Sequence, residues 1–60
     1  FEKSLVYINN LKQGQKLELK DIGYKKPGNG ISASEIRSVI GRKLKKTTKK
    51  DEQINYKDFE

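Results

Sequence analysis

The 60-residue sequence contains no cysteine and no histidine, and it has a single proline. Without cysteine, the chain can form neither a disulfide nor a thiol-based zinc knuckle or redox pair. This absence fits a reducing compartment. Without histidine, the chain lacks the commonest metal ligand and the usual general base that would activate a serine nucleophile. We therefore predict no catalytic residue and no metal site in this chain.

Long apolar runs are absent as well. None approaches the roughly 20 residues that a membrane-spanning helix needs, and no signal-peptide pattern opens the chain. We expect no membrane partner. A chain of this length buries only about 60% of the surface exposed by its unfolded form, so its core must be thin. Because the first residue is Phe1, we interpret the chain as part of a larger protein, with residues 1–3 ending an interdomain linker and residues 4–60 forming one domain.

Positive charge is in excess, with a net charge of +6. The densest basic stretch comprises Arg42, Lys43, Lys45, Lys46, Lys49 and Lys50. Proteins that bind single-stranded nucleic acid interleave stacking aromatic residues with basic ones, and this stretch has no aromatic residue. We interpret it as a solvated face and predict no nucleic-acid partner.

The first third of the sequence predicts short extended pieces. Residues 4–8 are rich in β-branched and aromatic residues, which favours a strand. Residues 11–17 indicate a turn centred on Gly14 that leads into a second extended piece. A single helical turn is predicted near residues 18–20, since short 3₁₀ turns are common connectors.

A short helix is predicted after residue 31. Ser32 would cap it in a capping box with Glu35, or Ser34 would cap a shorter version. Its apolar stripe is Ile36, Val39 and Ile40, and Gly41 would end it in the left-handed conformation. Residues 42–48 alternate around Leu44 and predict a strand with a basic outer face.

The central loop, residues 24–31, contains the most distinctive residues of the chain. Pro27 and Gly28 suit a type II turn, and Asn29 and Gly30 are a second turn signal. Lys26 precedes the proline and is therefore pushed toward an extended backbone. We expect a compact, exposed and stiff loop.

Residues 11–22 align with residues 48–59 at one fixed offset without a gap. Both segments show a turn, a short strand, one helical turn and an apolar residue that anchors the end. Chance similarity in so lysine-rich a chain is the rival explanation. The favoured prediction is a pseudo-two-fold pair of loops around one small core, in a mostly β fold with short 3₁₀ or α turns.

Three segments, residues 3–6, 26–32 and 39–44, together resemble the antifreeze-like (SAF) domain at the C-terminus of sialic acid synthases. Type III antifreeze proteins are similar to free-standing copies of this domain. The resemblance runs over nearly the whole chain and implies the compact β-clip fold.

The resemblance also implies a function. Sialic acid (N-acetylneuraminate) synthases are transferases of carbohydrate biosynthesis that condense phosphoenolpyruvate with an N-acetylmannosamine-type sugar. In that family a (β/α) barrel holds the catalytic residues and a divalent metal, Mn or Mg. The small domain, swapped across a homodimer, covers the neighbouring subunit's barrel. The chain would then be a cytoplasmic lid without catalysis or a cofactor of its own.

The resemblance implies one substrate contact. An arginine just before the Pro-Gly-Asn-Gly turn holds the sugar's N-acetyl group in the family, and this sequence has Lys26 there, positioned by Pro27, Gly28, Asn29 and Gly30. A lysine lacks the planar fork of arginine and is more strongly hydrated. Three possibilities are open: Lys26 does the same work less rigidly, the substrate differs, or another basic residue such as Lys25 replaces it.

Two other functions compete with the lid. A stand-alone carbohydrate-binding module is one, and an ice-binding protein is the other. The ice-binding faces of type III antifreeze proteins are flat and largely uncharged. The corresponding region here carries Lys16, Glu18, Lys20 and Asp21, whose hydration we expect to spoil a match to an ice plane.

Overall fold

The computed structural model describes residues 3–26 and 28–60. Strand β1 (Ser4–Tyr7) pairs antiparallel with strand β2 (Ile22–Lys25). The helical elements of the described residues are three 3₁₀ turns, at Leu19–Asp21, Ala33–Ser38 and Tyr56–Asp58. The prediction of a mostly β fold with short helical turns is confirmed.

One hydrophobic cluster forms the core and draws on the whole length of the chain. Tyr7, Leu17, Val39 and Ile54 are completely buried. The other members of the cluster are Leu5, Leu11, Ile22, Ile31, Leu44 and Phe59. Because most of these residues come from segments outside the two strands, the core depends on how extended pieces cross one another rather than on a large sheet.

The internal repeat is confirmed by the backbone hydrogen bonds. Each residue of the second repeat lies 37 positions after its equivalent in the first. Leu11 and its equivalent Thr48 donate to each other's carbonyl groups at 3.0 and 2.9 Å, so they lie on the pseudo-two-fold axis. The bond from Tyr7 N–H to the Glu52 carbonyl (2.9 Å) has its counterpart between the equivalent residues 44 and 15 (2.8 Å). The equivalence extends to residues 5–22 and 42–59, farther than the sequence predicts, since the bond from Ile54 N–H to the Leu5 carbonyl (3.0 Å) matches the bond from Leu17 N–H to the Arg42 carbonyl (2.9 Å).

The predicted turn at Gly14 is confirmed, and it has a counterpart. Gly14 has φ of 93° and its equivalent Asp51 has φ of 75°. In both turns a side-chain oxygen accepts from a backbone N–H three residues earlier: Gln15 from Lys12 at 2.6 Å, and Glu52 at 2.8 Å. The two repeats therefore use the same turn with different residues.

The predicted helical turn at residues 18–20 is confirmed with a shift of one residue. It begins at Leu19 and ends at Asp21, and the Asp21 carboxylate accepts from the Glu18 N–H at 3.2 Å. Asp58 accepts from the Asn55 N–H at 3.1 Å in the equivalent turn. Asp21 is buried, so the prediction that its charge belongs to a hydrated face is wrong.

The helix after residue 31 differs from the prediction in type. It is a 3₁₀ helix, and the Ser32 hydroxyl accepts from the Ser34 N–H at 3.2 Å. Val39 is buried and Ile36 packs against the core, but Ile40 is 39% exposed. The helix ends at Ser38 with Val39 as its C-cap, so Ile40 lies beyond the helix and outside its apolar side. Gly41 has φ of 84°, as predicted.

Two predictions of strand content are corrected. Residues 42–48 do not form a continuous strand, because bends at positions 45 and 46 leave only isolated bridges. Strand β2, in turn, was not predicted, since Gly23 and the start of the loop at Tyr24 obscure its alternation. Within the described ranges, no helix is long and apolar enough to cross a membrane.

Candidate substrate-contacting loop

Lys26 follows directly after β2 and is exposed. Within residues 3–26 and 28–60, no hydrogen bond or ion pair occupies its side chain. Its neighbour Lys25 is also exposed and lies opposite Ser4 in the β1–β2 register. The loop therefore begins with two adjacent free ammonium groups, of which Lys26 was the predicted contact and Lys25 the predicted substitute.

Both ends of the loop are attached to the start of β1. Lys25 pairs with Ser4 on one side, and Ser32 forms a bridge with Ser4 on the other. The Leu5 N–H donates to the Ile31 carbonyl at 2.9 Å, which fixes the returning arm. Ser4 itself is buried, so both ends of the loop are attached to a buried residue.

Gly30 brings the loop into close contact with the second repeat. A Cβ atom built on Gly30 would lie 2.6 Å from Cδ and 2.8 Å from Cγ of Gln53. Gln53 bridges to Val6, so the residue under Gly30 is itself attached to β1. A residue with a Cβ at this position would therefore require the side chain of Gln53 to move.

The predictions for the remaining loop residues are tested only in part by the structure. Gly28 and Asn29 are exposed, as expected for the surface of a loop. Pro27 lies outside the described residues, and the type II turn predicted for Pro27 and Gly28 stays a prediction. The roles of all five residues of the predicted site also stay predictions.

Tyr24 adds an aromatic group beside the loop. It lies opposite Leu5 in the register of β1 and β2 and is 50% exposed. Together with Lys25 and Lys26 it gives this edge of the molecule two positive charges and one aromatic ring. In the described part of the chain, the surface around the loop has no cleft. The two lysines can therefore donate hydrogen bonds and the tyrosine can stack on a ligand, but these residues do not form an enclosed binding site.

A polar pair is buried away from the loop. The Tyr7 hydroxyl donates to Asp58 at 2.7 Å, and Lys46 Nζ lies 3.6 Å from the other oxygen of the same carboxylate. Burial and the hydrogen bond and charge of Asp58 raise the pKa of Tyr7 far above its usual value near 10. The tyrosine therefore stays protonated and serves as a donor. No group of three acidic, histidine or cysteine side chains that could hold a metal ion occurs among the described residues.

Residues 2–60 match the profile of the SAF domain over almost the entire chain. The chain belongs to the SAF domain family. This SAF domain is also similar to the uncharacterized protein MJ1065 of Methanocaldococcus jannaschii, with 32% identity over 57 residues. The match covers 95% of this chain but 17% of that relative. The family assignment therefore confirms the domain type, and the activity of any larger protein is a matter for proposal.

Sequence reasoning missed two residues of the loop's surroundings. Nothing in the sequence links Gln53 to Gly30, because their contact depends on how the second repeat crosses β1. Tyr24 was predicted only as the first residue of the loop, although its position two residues before Lys26 places it at the same edge of this SAF domain. The β-branched Ile22 and the aromatic Tyr24, residue types that favour strands, were the signal that could have placed it.

Proposed function

We propose that this SAF domain is the lid of a phosphoenolpyruvate-dependent sialic acid synthase, or of an enzyme making a related nonulosonic acid. The loop of residues 26–30 would cover the active site in the barrel of the neighbouring subunit of a cytoplasmic, domain-swapped homodimer. The observation that carries the proposal is the free, exposed ammonium group of Lys26 on a loop anchored at both ends on Ser4. The barrel would supply the divalent metal and the catalytic residues.

In this proposal Lys26 donates a hydrogen bond to the carbonyl oxygen of the sugar's N-acetyl group. An ammonium donor to a carbonyl is a charge-assisted bond and is stronger than a neutral one. The anchoring of the loop lowers the entropy lost when the lysine is positioned. Closing the lid also excludes water from the partner's site, which strengthens the electrostatic contacts there.

The test replaces Lys26 by alanine in the full-length synthase. We expect kcat/KM for the sugar to fall by roughly 10- to 100-fold, since a hydrogen bond to a charged group is worth about 1.5–3 kcal/mol. The KM for phosphoenolpyruvate should change little, because the contact is to the sugar. The variant Lys26→Arg should keep most of the activity.

Lys25→Ala is the matched control for the adjacent lysine. If Lys26→Ala leaves the sugar's KM and kcat unchanged while Lys25→Ala reduces kcat/KM, the contact belongs to Lys25. If neither variant changes the kinetics, this loop does not contact the substrate and the proposal fails.

The ice-binding alternative can be tested on the same chain. Lys16, Glu18 and Lys20 are exposed around Leu19, which is 63% exposed. The region thus combines one apolar side chain with three hydrated charges, and we expect no thermal hysteresis. A measurable gap between the melting and freezing temperatures would favour ice binding over the lid.

A further inference from the structure

Lys16 and Lys43 lie directly opposite each other on two antiparallel extended segments. The residues on either side of the pair make the backbone hydrogen bonds, at 2.9 and 2.8 Å. The lysines are therefore a non-hydrogen-bonded pair, the arrangement in which opposite side chains are closest, with Cβ atoms about 4.5–5.5 Å apart. Both side chains are exposed. Like charges in this position destabilise the pairing of two extended segments.

A third lysine extends the same surface. Lys43 and Lys45 flank the buried Leu44, so both point away from the core. We call Lys16, Lys43 and Lys45 the lysine face. Across residues 3–26 and 28–60 the one ion pair joins Lys46 to Asp58, so the lysine face forms none. Glu60 is the acidic residue beside it, since its N–H donates to the Lys43 carbonyl at 2.9 Å.

The pseudo-two-fold axis gives the lysine face an internal counterpart. The residues equivalent to Lys16, Lys43 and Lys45 are Gln53, Val6 and Ile8, all uncharged. Val6 is 8% exposed, and Gly30 packs on Gln53. On that side of the molecule the chain's own loop covers the bridged pair. The lysine face has the same backbone geometry but is exposed and has three positive charges where its counterpart has none.

We propose that the lysine face is a docking surface for an extended acidic polypeptide segment. The backbone geometry is the one that a stretch of polypeptide already covers on the opposite side, and the charges select acidic side chains. Side chains two apart in an extended segment lie on the same face, so alternate acidic residues of such a segment can all face the lysines. This inference is independent of Lys26 and of the lid.

The charge on this surface could also attract nucleic acid, but its composition favours polypeptide. No aromatic residue belongs to the lysine face, whereas proteins that hold single strands stack the bases on aromatic side chains. Three lysines also offer few contacts to a phosphate backbone. Nucleic acid is therefore an outcome that the experiment must distinguish.

The test titrates the isotope-labelled chain with a ten-residue peptide of alternating glutamate and threonine at low salt, and follows the backbone amide signals by NMR. We expect shifts at Lys16, Lys43 and Lys45, and none with the same peptide carrying glutamine. Replacing the three lysines by glutamine should weaken the affinity about threefold or more, since an exposed ion pair contributes about 0.2–1 kcal/mol.

The matched control removes the same charge elsewhere, through Lys20→Gln, Lys49→Gln and Lys57→Gln. Compared at about 0.1 M ionic strength, where the screening length is roughly 10 Å, this control should keep the affinity within about twofold if binding is local. Equal weakening by both triple variants would show non-specific attraction and overturn the proposal. So would tighter binding of a single-stranded thymidine decamer than of the glutamate peptide, or the absence of any shift at the lysine face.

Discussion

At the scale of single residues, the two buried aspartates show what the repeat requires. Asp21 and Asp58 each accept from the backbone N–H three residues earlier. Their second partners differ, because Asn9 donates to Asp21 at 3.0 Å whereas the equivalent Lys46 lies 3.6 Å from Asp58. Burying a carboxylate is costly unless it is hydrogen-bonded. The alignment of the two repeat sequences predicts that the two aspartates are equivalent, but not that they are buried.

Tyr7 should make the stability of the protein decrease as the pH rises through the alkaline range. Its pKa is raised in the folded state by burial and by Asp58, so its proton is held more tightly there than in the unfolded chain. This contribution is fully present below about pH 10, where tyrosine is protonated in both states, and is lost as the pH rises further. We expect the difference in unfolding free energy between the wild type and Tyr7→Phe to shrink by up to about 1.4 kcal/mol per pH unit above pH 10.

Urea unfolding of both proteins between neutral and strongly alkaline pH measures this difference. At neutral pH, Tyr7→Phe should cost roughly 1.5–3 kcal/mol, because the hydrogen bond to a buried carboxylate is lost. A difference that stays constant through the alkaline range would contradict the account.

At the scale of elements, the two equivalent turns predict how Gly14 can be replaced. A Cβ on Gly14 would meet nothing within 4 Å, so a substitution acts only through the positive φ. Gly14→Val should therefore destabilise the protein by about 1–2 kcal/mol. Gly14→Asp should cost clearly less, since aspartate tolerates this conformation and occupies it at position 51. Thermal unfolding compares the two variants, and equal losses would show that the turns are not equivalent.

Gly30 is constrained by space instead. Gly30→Ala places a methyl group against Gln53, and the glutamine must move away from its position beside β1. Because Gly30 is exposed and the end of the half-buried Gln53 side chain can shift, we expect a loss below about 1 kcal/mol. The double variant Gly30→Ala, Gln53→Ala should recover part of this loss, because the shorter side chain makes room. Additive effects in the double-mutant cycle would exclude the contact.

Elements with strong local signals were predictable from the sequence. The strand at β1, the turn at Gly14 and the helical turn near Leu19 each depend on neighbouring residues, and the structure confirms them. The 3₁₀ form of residues 33–38 and the seating of Gly30 on Gln53 were not predictable. They depend on contacts between segments far apart in the sequence, which propensity does not encode.

At the scale of the whole molecule, the sequence predicts the repeat only for the part in which the two copies have similar residues. Residues 5–8 and 42–45 have equivalent hydrogen bonds but almost no shared sequence, since one segment is apolar and the other basic. Tyr7 and its equivalent Leu44 keep a buried side chain, and this alone is common to both. The symmetry of the backbone is therefore kept where the surface residues of the two repeats differ.

The excess charge predicts that salt stabilises this protein. The longest dimension of the molecule is 32 Å. At about 0.01 M ionic strength the screening length is roughly 30 Å, so electrostatic repulsion between lysines acts across the whole molecule. At about 0.1 M the screening length falls to roughly 10 Å, and repulsion across the molecule is largely removed. Because the described residues contain a single ion pair, salt has little attraction to weaken. The melting temperature should therefore rise with sodium chloride, and more steeply in the wild type than after Lys16→Gln and Lys43→Gln. A melting temperature that falls with salt would mean that attractive pairs dominate the surface.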